Sequence, residues 1–225
     1  MTDFQKFPSI PRYRKDIQIT EKIDGTNAAI GIQPAINEDY TPNPLFGHAP
    51  REDCITDEAG NPVHVYAQSR SRIITPGKST DNYGFAQYVR DNASNLYLLL
   101  GAGIHYGEWY GSGINRNYGL TERRFALFNT ARYTTDSLYN NGVIDARTLR
   151  IDVVPTLYTG PAYYTPEGSH VPQDAVRNAM DALSITGSHL VPGFMNPEGV
   201  VIFHTASRQR YKATYDYDEG KWTAQ

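Results

Sequence analysis

Regular segments in this chain are short, and most of them alternate. "DIQITEKI" (16–23), "NAAIGI" (27–32), "VHVYAQ" (63–68), "IHYGEWY" (104–110), "RFALFNTARY" (124–133), "GVVIFHTA" (199–206) and "RYKATYDY" (210–217) are rich in β-branched and aromatic residues and bounded by Gly, Pro, Asn or Asp. A period of two with such bounds is the pattern of half-buried strands. Helical spacing occurs in two places. In "NYGFAQYVRDNASNLYLLL" the residues Phe85, Tyr88, Val89 and Leu96 recur near a helix period, and in "PQDAVRNAMDALSI" Pro172 stands where a first helical turn tolerates proline. Many strands and two helices predict an α+β fold, not a doubly wound parallel sheet. Residues 33–62 carry prolines, glycines and charges with little periodicity, and read as a long loop between strands.

A chain of 225 residues with 40% hydrophobic residues buries a sizeable core, in one large domain or a domain with a small appendage. Its net charge of −3 argues against wholesale coating of nucleic acid, although a local basic patch still holds phosphates. A single cysteine, Cys54, excludes an internal disulfide framework, and "MTDFQKFPSIPRYRK" lacks the apolar stretch of a signal peptide. The expectation is a cytoplasmic protein. No run approaches the ~20 apolar residues that a membrane span needs.

Against this background "QITEKIDGTNAAIGI" (18–32) places one lysine, Lys22, between two strand-like runs. Asp24 and Gly25 form a pair that favours a tight hairpin turn, which predicts Lys22 at a strand end beside a turn. Alternation sets Lys22 and Ile23 on opposite faces, and a cleft on the lysine side would hold the amine partly desolvated. Lysine titrates near ~10.4, so it is a nucleophile at neutral pH only where burial or a neighbouring cation favours the neutral amine. The other reading of these residues alone is a solvated hairpin lysine.

"EKIDGTN" resembles the nucleotidyl-lysine motif of the covalent nucleotidyltransferases, the ATP-dependent ligases and capping enzymes. Five further pieces follow in that superfamily's order: "QSRSR" (68–72), "YGEWYG" (106–111), "RFALFN" (124–129), "PEGVVIF" (197–203) and "RYKAT" (210–214). "EKIDGTN" with its Asn27, together with "GEWYG", is most similar to the ATP-dependent RNA ligase branch. A DNA ligase is second.

The resemblance implies a nucleotidyltransferase fold, with antiparallel sheets flanked by helices and a nucleotide cleft between them. It also implies a single adenylation domain over 1–225 without a separate C-terminal domain. Lys22 would attack the α-phosphate of ATP, expel pyrophosphate and carry AMP, which then passes to the 5′-phosphate of RNA before a 3′-hydroxyl displaces it. Lys212 would stand against the α-phosphate as a point cation. Arg70 would use its planar fork on a ribose hydroxyl or an RNA phosphate, with Arg72 an equal chemical candidate. Glu108 is implied at the ribose and Glu198 at Mg²⁺, a hard cation that takes oxygen ligands. Phe128 would stack on adenine. Asn27 would bond the sugar or a metal-bound water, and Glu21 would lie near the base.

The sequence departs from the family pattern in three ways. Asn129 stands where Asp is common, and Arg210 and Thr214 flank Lys212 where a second lysine is usual, with Lys221 as a distant substitute. The chain ends shortly after the last motif, so a helper protein would replace a C-terminal domain. These departures keep open a nucleotide- or RNA-binding module on the same fold without full ligation.

Other signals resolve against chemistry. "TPGKST" ends like a phosphate-binding loop, yet Arg72 occupies the position where that motif demands glycine. His48, His64, His105, His170, His189 and His204 have no metal spacing. Arg116, Arg123, Arg124, Arg208 and Arg210 gather near the motifs, either to hold RNA phosphates or as solvated strand edges.

Overall fold

The computed structural model describes residues 5–12, 15–35, 54–140 and 142–216. The first part of the chain forms β1 (Asp16–Lys22), β2 (Thr26–Pro34), β3 (Cys54–Thr56), β4 (Pro62–Ser69), β5 (Ile73–Ile74), α1 (Phe85–Asp91), α2 (Ala93–Leu100) and β6 (Gly103–Gly111). There follow β7 (Arg123–Leu127), α3 (Thr135–Tyr139), β8 (Ile151–Val153), β9 (Thr156–Pro161), β10 (Tyr163–Tyr164), β11 (Gln173–Asp174), α4 (Ala175–Thr186), β12 (Gly199–His204) and β13 (Gln209–Thr214). The fold is α+β, as expected. Two compact units share these elements: unit 1 takes Met1–Lys22 and Pro155–Gln225, and unit 2 takes Ile23–Val154.

Unit 1 is built on a four-stranded antiparallel sheet in the order β13-β12-β1-β9. β1 alternates, with Ile17, Ile19 and Glu21 buried while the residues between them are more exposed. Ile17 and Ile19 join Val200 and Ile202 of β12 in a core with Ala175 and Leu183 of α4. The helix therefore covers one face of the sheet. α4 starts where Asp174 caps it, its carboxylate accepting the N–H groups of Val176 and Arg177 at 2.9 and 3.2 Å. The cap overrides the proline signal, and Pro172 stands outside the helix.

Unit 2 is built on a seven-stranded sheet in the order β3-β4-β2-β6-β7-β8, with β5 added to β4. Its pairs are antiparallel except β7 with β8. Phe85, Tyr88, Val89, Leu96 and Leu100 of α1 and α2 share a core with Ile30, Ile32, Trp109 and Phe125. The expected single helix over this stretch is two. The break falls at Asn92, which has φ −114° and returns both its N–H and its side-chain Nδ2 to the Tyr88 carbonyl.

Two other expectations are corrected. β1 pairs with β12 and β9, whereas β2 pairs with β4 and β6, so Asp24 and Gly25 link two sheets and do not close a hairpin. The long loop over 33–62 is shorter than expected, because β2 runs to Pro34 and β3 forms at Cys54–Thr56; residues 36–53 lie outside the described residues. None of the described helices is long and apolar enough to cross a membrane.

Candidate active site

In unit 1 Lys22 is the last residue of β1, directly across from Gly199 of β12. Alternation sends its side chain to the face away from α4. There Nζ donates to Glu198 Oε2 at 2.6 Å, with 23% of the lysine side chain and 16% of the glutamate side chain exposed. The pair is neither solvated nor sealed. Gly199, between them in the ladder, has φ +145°, and a Cβ there would lie 2.1 Å from the Ala213 carbonyl oxygen. Backbone crowding thus keeps this position bare beside the amine. Lys212 sits on β13 opposite Val201, which is opposite Thr20, so pairing and alternation put Lys212 on the same sheet face as Lys22.

Glu21 lies on the opposite face of the sheet from Lys22. Its carboxylate turns to the α4 face and is 1% exposed. Oε2 accepts the backbone N–H groups of His189 and Leu190, both at 2.9 Å. Burial holds this carboxyl above the ordinary carboxylate range, opposed by the Ser188 hydroxyl, the two amides and His189. The hydroxyl falls short of full hydrogen-bond geometry, and Oε1 stays buried without a partner.

In unit 2 Asn27 and Glu108 are cross-strand neighbours on β2 and β6, both half-buried. Phe128 follows β7, its N–H bonded to the Tyr106 carbonyl at 3.0 Å and its residue 38% exposed. Arg70 and Arg72 are both exposed, in the turn between β4 and β5. Unit 1 carries Lys22, Glu198 and Lys212, with Glu21 on the other face of the sheet; unit 2 brings together Asn27 and Glu108, with Phe128 two residues beyond Ala126, the β7 neighbour of Glu108.

The structure adds residues that the sequence reading missed. Asp24 accepts from Asn115 Nδ2 at 2.7 Å and pairs with Arg116 Nε at 3.0 Å, while its N–H bonds the Tyr118 hydroxyl at 2.8 Å. Asn115, Asn117 and Tyr118 all have positive φ, so this loop is folded tightly around the motif. "INRNYG" announces a turn, yet nothing local says what the turn holds. Gly25 does not need positive φ. It needs room, because a Cβ would lie 2.4 Å from the Trp109 carbonyl oxygen and 2.9 Å from Glu108 Cγ.

Of the arginines considered for RNA, three serve the protein itself. Arg116 holds Asp24, Arg123 bonds the Ser112 and Tyr83 carbonyls, and Arg124 lies against Glu122 and Asp152. Arg208 and Arg210 are exposed, with Arg210 over the Phe203 ring. Lys221 and His48 lie outside the described residues. Among the described residues no three of His, Cys, Asp and Glu gather as a metal site. A lone half-buried carboxylate such as Glu198 suits Mg²⁺, which commonly takes one or two carboxylates and completes its shell with water and substrate phosphates.

The sequence matches the RNA ligase family over residues 15–214. No curated protein matches it. Among solved structures it is similar to Naegleria gruberi RNA ligase in several forms. A lysine-to-alanine mutant with ATP and Mn is 16% identical with a TM-score of 0.49, covering 89% of this chain and 49% of that one. A second such mutant with ATP and Mn is 16% identical at 0.48, covering 89% and 50%. A lysine-to-methionine mutant with AMP and Mn is 16% identical at 0.45, covering 89% and 49%. The chain spans about half the length of these structures.

Proposed function

The chain belongs to the RNA ligase family, and from that premise we propose that it is an ATP-dependent RNA ligase acting through a lysyl-AMP intermediate on Lys22. The observation that carries the reading is the half-buried Lys22 amine bonded to Glu198 at the end of β1, on the sheet face that also bears Lys212. A protonated amine does not attack. The proton on Nζ has an acceptor at 2.6 Å in Glu198 Oε2.

The freed amine forms a bond to the α-phosphorus of ATP as the bond from that phosphorus to the β-phosphate oxygen breaks, releasing pyrophosphate. Lys212 supplies positive charge to the phosphate oxygens. With that proton, and the one the nitrogen sheds on bonding to phosphorus, passed to water, the Glu198 carboxylate would hold Mg²⁺, which supplies charge neutralisation at the phosphates when bound. Asn27 and Glu108 offer adjacent polar groups for the ribose, Phe128 an exposed ring for the base, and Arg70 a solvent-facing guanidinium for the RNA end. The substrate is RNA with a 5′-phosphate and a 3′-hydroxyl. Unit 2 is inserted in the chain between the two segments of unit 1, which supports treating 1–225 as one nucleotidyltransferase domain.

The test is transfer of label from α-labelled ATP, with Mg²⁺, to denatured protein. Wild type is expected to retain label and Lys22→Ala to retain none, and the labelled protein should pass AMP to 5′-phosphorylated RNA. Absence of covalent label on wild type would leave a nucleotide- or RNA-binding module instead. DNA strands offered in parallel separate the two kinds of ligase.

A further inference from the structure

Consecutive residues of a strand project to opposite faces of its sheet. At the end of β1 both such residues grip the same stretch of chain. Glu21, on the α4 face, holds the amides of His189 and Leu190. Lys22, on the other face, holds the Glu198 carboxylate. The connection between these two contacts is braced over 188–194, and at its far end the Glu198 carbonyl accepts the Tyr215 N–H at 3.1 Å. Ser188 donates its N–H to the Phe194 carbonyl, Phe194 donates to Val191, and Val191 donates to the Ser188 hydroxyl. Gly187, at φ +75°, lets the chain turn out of α4 where a Cβ would lie 2.5 Å from the Phe194 oxygen. A braced loop pinned at one end transmits that position to its other end.

We infer that Glu21 is a positioning residue, whose carboxylate fixes the 187–198 loop and thereby sets where Glu198 stands relative to the Lys22 amine. Two N–H groups on one buried oxygen make a specific latch, because removing the acceptor leaves both amides without that partner. The consequence for chemistry rests on the reading of Lys22 and Glu198 given above. The latch itself does not.

Two variants of the full chain separate its elements. Glu21→Gln keeps a carbonyl acceptor in place, whereas Glu21→Met fills the same space with none. Hydrogen exchange read by mass spectrometry is expected to show amides of 187–198 exchanging about tenfold faster in the Met variant and at the wild-type rate in the Gln variant. Peptides from β2 and β6 should be unchanged in both. In self-adenylylation, the Met variant is expected to need about tenfold more Mg²⁺ for half-maximal labelling with little change in the ATP requirement, while Gln behaves as wild type.

Wild-type protection of 187–198 in the Met variant would overturn the latch. Lost protection with an unaltered Mg²⁺ requirement would overturn its role in placing Glu198. Wild type that takes no label defeats the proposed activity, and the exchange result then decides the latch alone.

Discussion

At the scale of single residues, Gly25 is held to glycine by space alone. Its neighbour is backbone, the Trp109 carbonyl oxygen, which cannot swing aside as a long side chain does. Gly25→Ala is therefore expected to lower stability by about 2 kcal/mol, the usual scale of overpacking, measured as a shift of the denaturant midpoint with unchanged slope. Glu21 gives a pH-dependent counterpart. Its carboxyl is raised from 4.5 by burial, with His189 and Tyr215 the titratable groups that face it. A carboxyl raised in the folded state favours folding fully below the unfolded value, and that contribution is lost as pH rises through the folded one. Thermal melts of Glu21→Gln should thus gain on wild type as pH climbs from about 4.5 toward neutrality, and the gain should fade below it. An unchanging difference across that range would contradict the buried charge. Lys22, Glu198 and Asn27 are marked as candidates in the sequence because each sits inside a short motif. The cradle of Asp24 is not, because Asn115 and Tyr118 lie 91 and 94 residues away and reach it only through folding.

At the scale of elements, strands were read better than their ends and partners. Alternation finds a strand, but the choice of neighbour is made by the other face of the sheet, so "DG" looked like a hairpin where the chain changes sheets. "RFALFNTARY" reads as one strand, yet β7 stops at Leu127, where Phe128, Asn129 and the Arg132 and Tyr133 amides take up turn hydrogen bonds. The short α3 was missed altogether. Its signal is a reciprocal cap between Thr134 and Ser137, too local to show as periodicity.

What joins β6, α3 and β8 is a buried carboxylate. Asp152 on β8, 5% exposed, accepts from the Tyr110 hydroxyl of β6 and the Tyr139 hydroxyl of α3, each at 2.8 Å, with Arg124 Nη1 at 3.5 Å. Burial first and Asp152 second push the Tyr139 hydroxyl up to about 12, so it stays a donor at neutral pH. Asp152→Ala strands two hydroxyls and takes from Arg124 one of its two carboxylates, and is expected to cost about 3 kcal/mol or more. Tyr139→Phe removes one donor and should cost nearer ~1 kcal/mol. Chemical denaturation of the two variants checks the ranking, and equal losses would show that the network does not act through Asp152.

At the scale of the whole molecule, the two units differ in how they use the chain. Unit 2 is one continuous segment, Ile23–Val154, with its sheet and the helices that cover it all encoded between those bounds. Unit 1 is assembled from both ends, and the strand next to β9 is β1 from the other end of the sequence. β9 pairs in that sheet with β1, and β12 lies between β1 and β13. Ile17 and Ile19 of β1 also supply the buried centre of the core beneath α4. Remove β1 and the sheet loses both the ladder joining β9 to β12 and the apolar residues that α4 packs against. Residues 23–154 expressed alone are therefore expected to unfold cooperatively with dispersed amide resonances, whereas residues 155–225 alone should stay unfolded. Adding a peptide of residues 15–22 to the second fragment should restore strand signal, since it returns the missing central ladder; failure of that addition, with the first fragment also unfolded, would show that the units are not separable in folding.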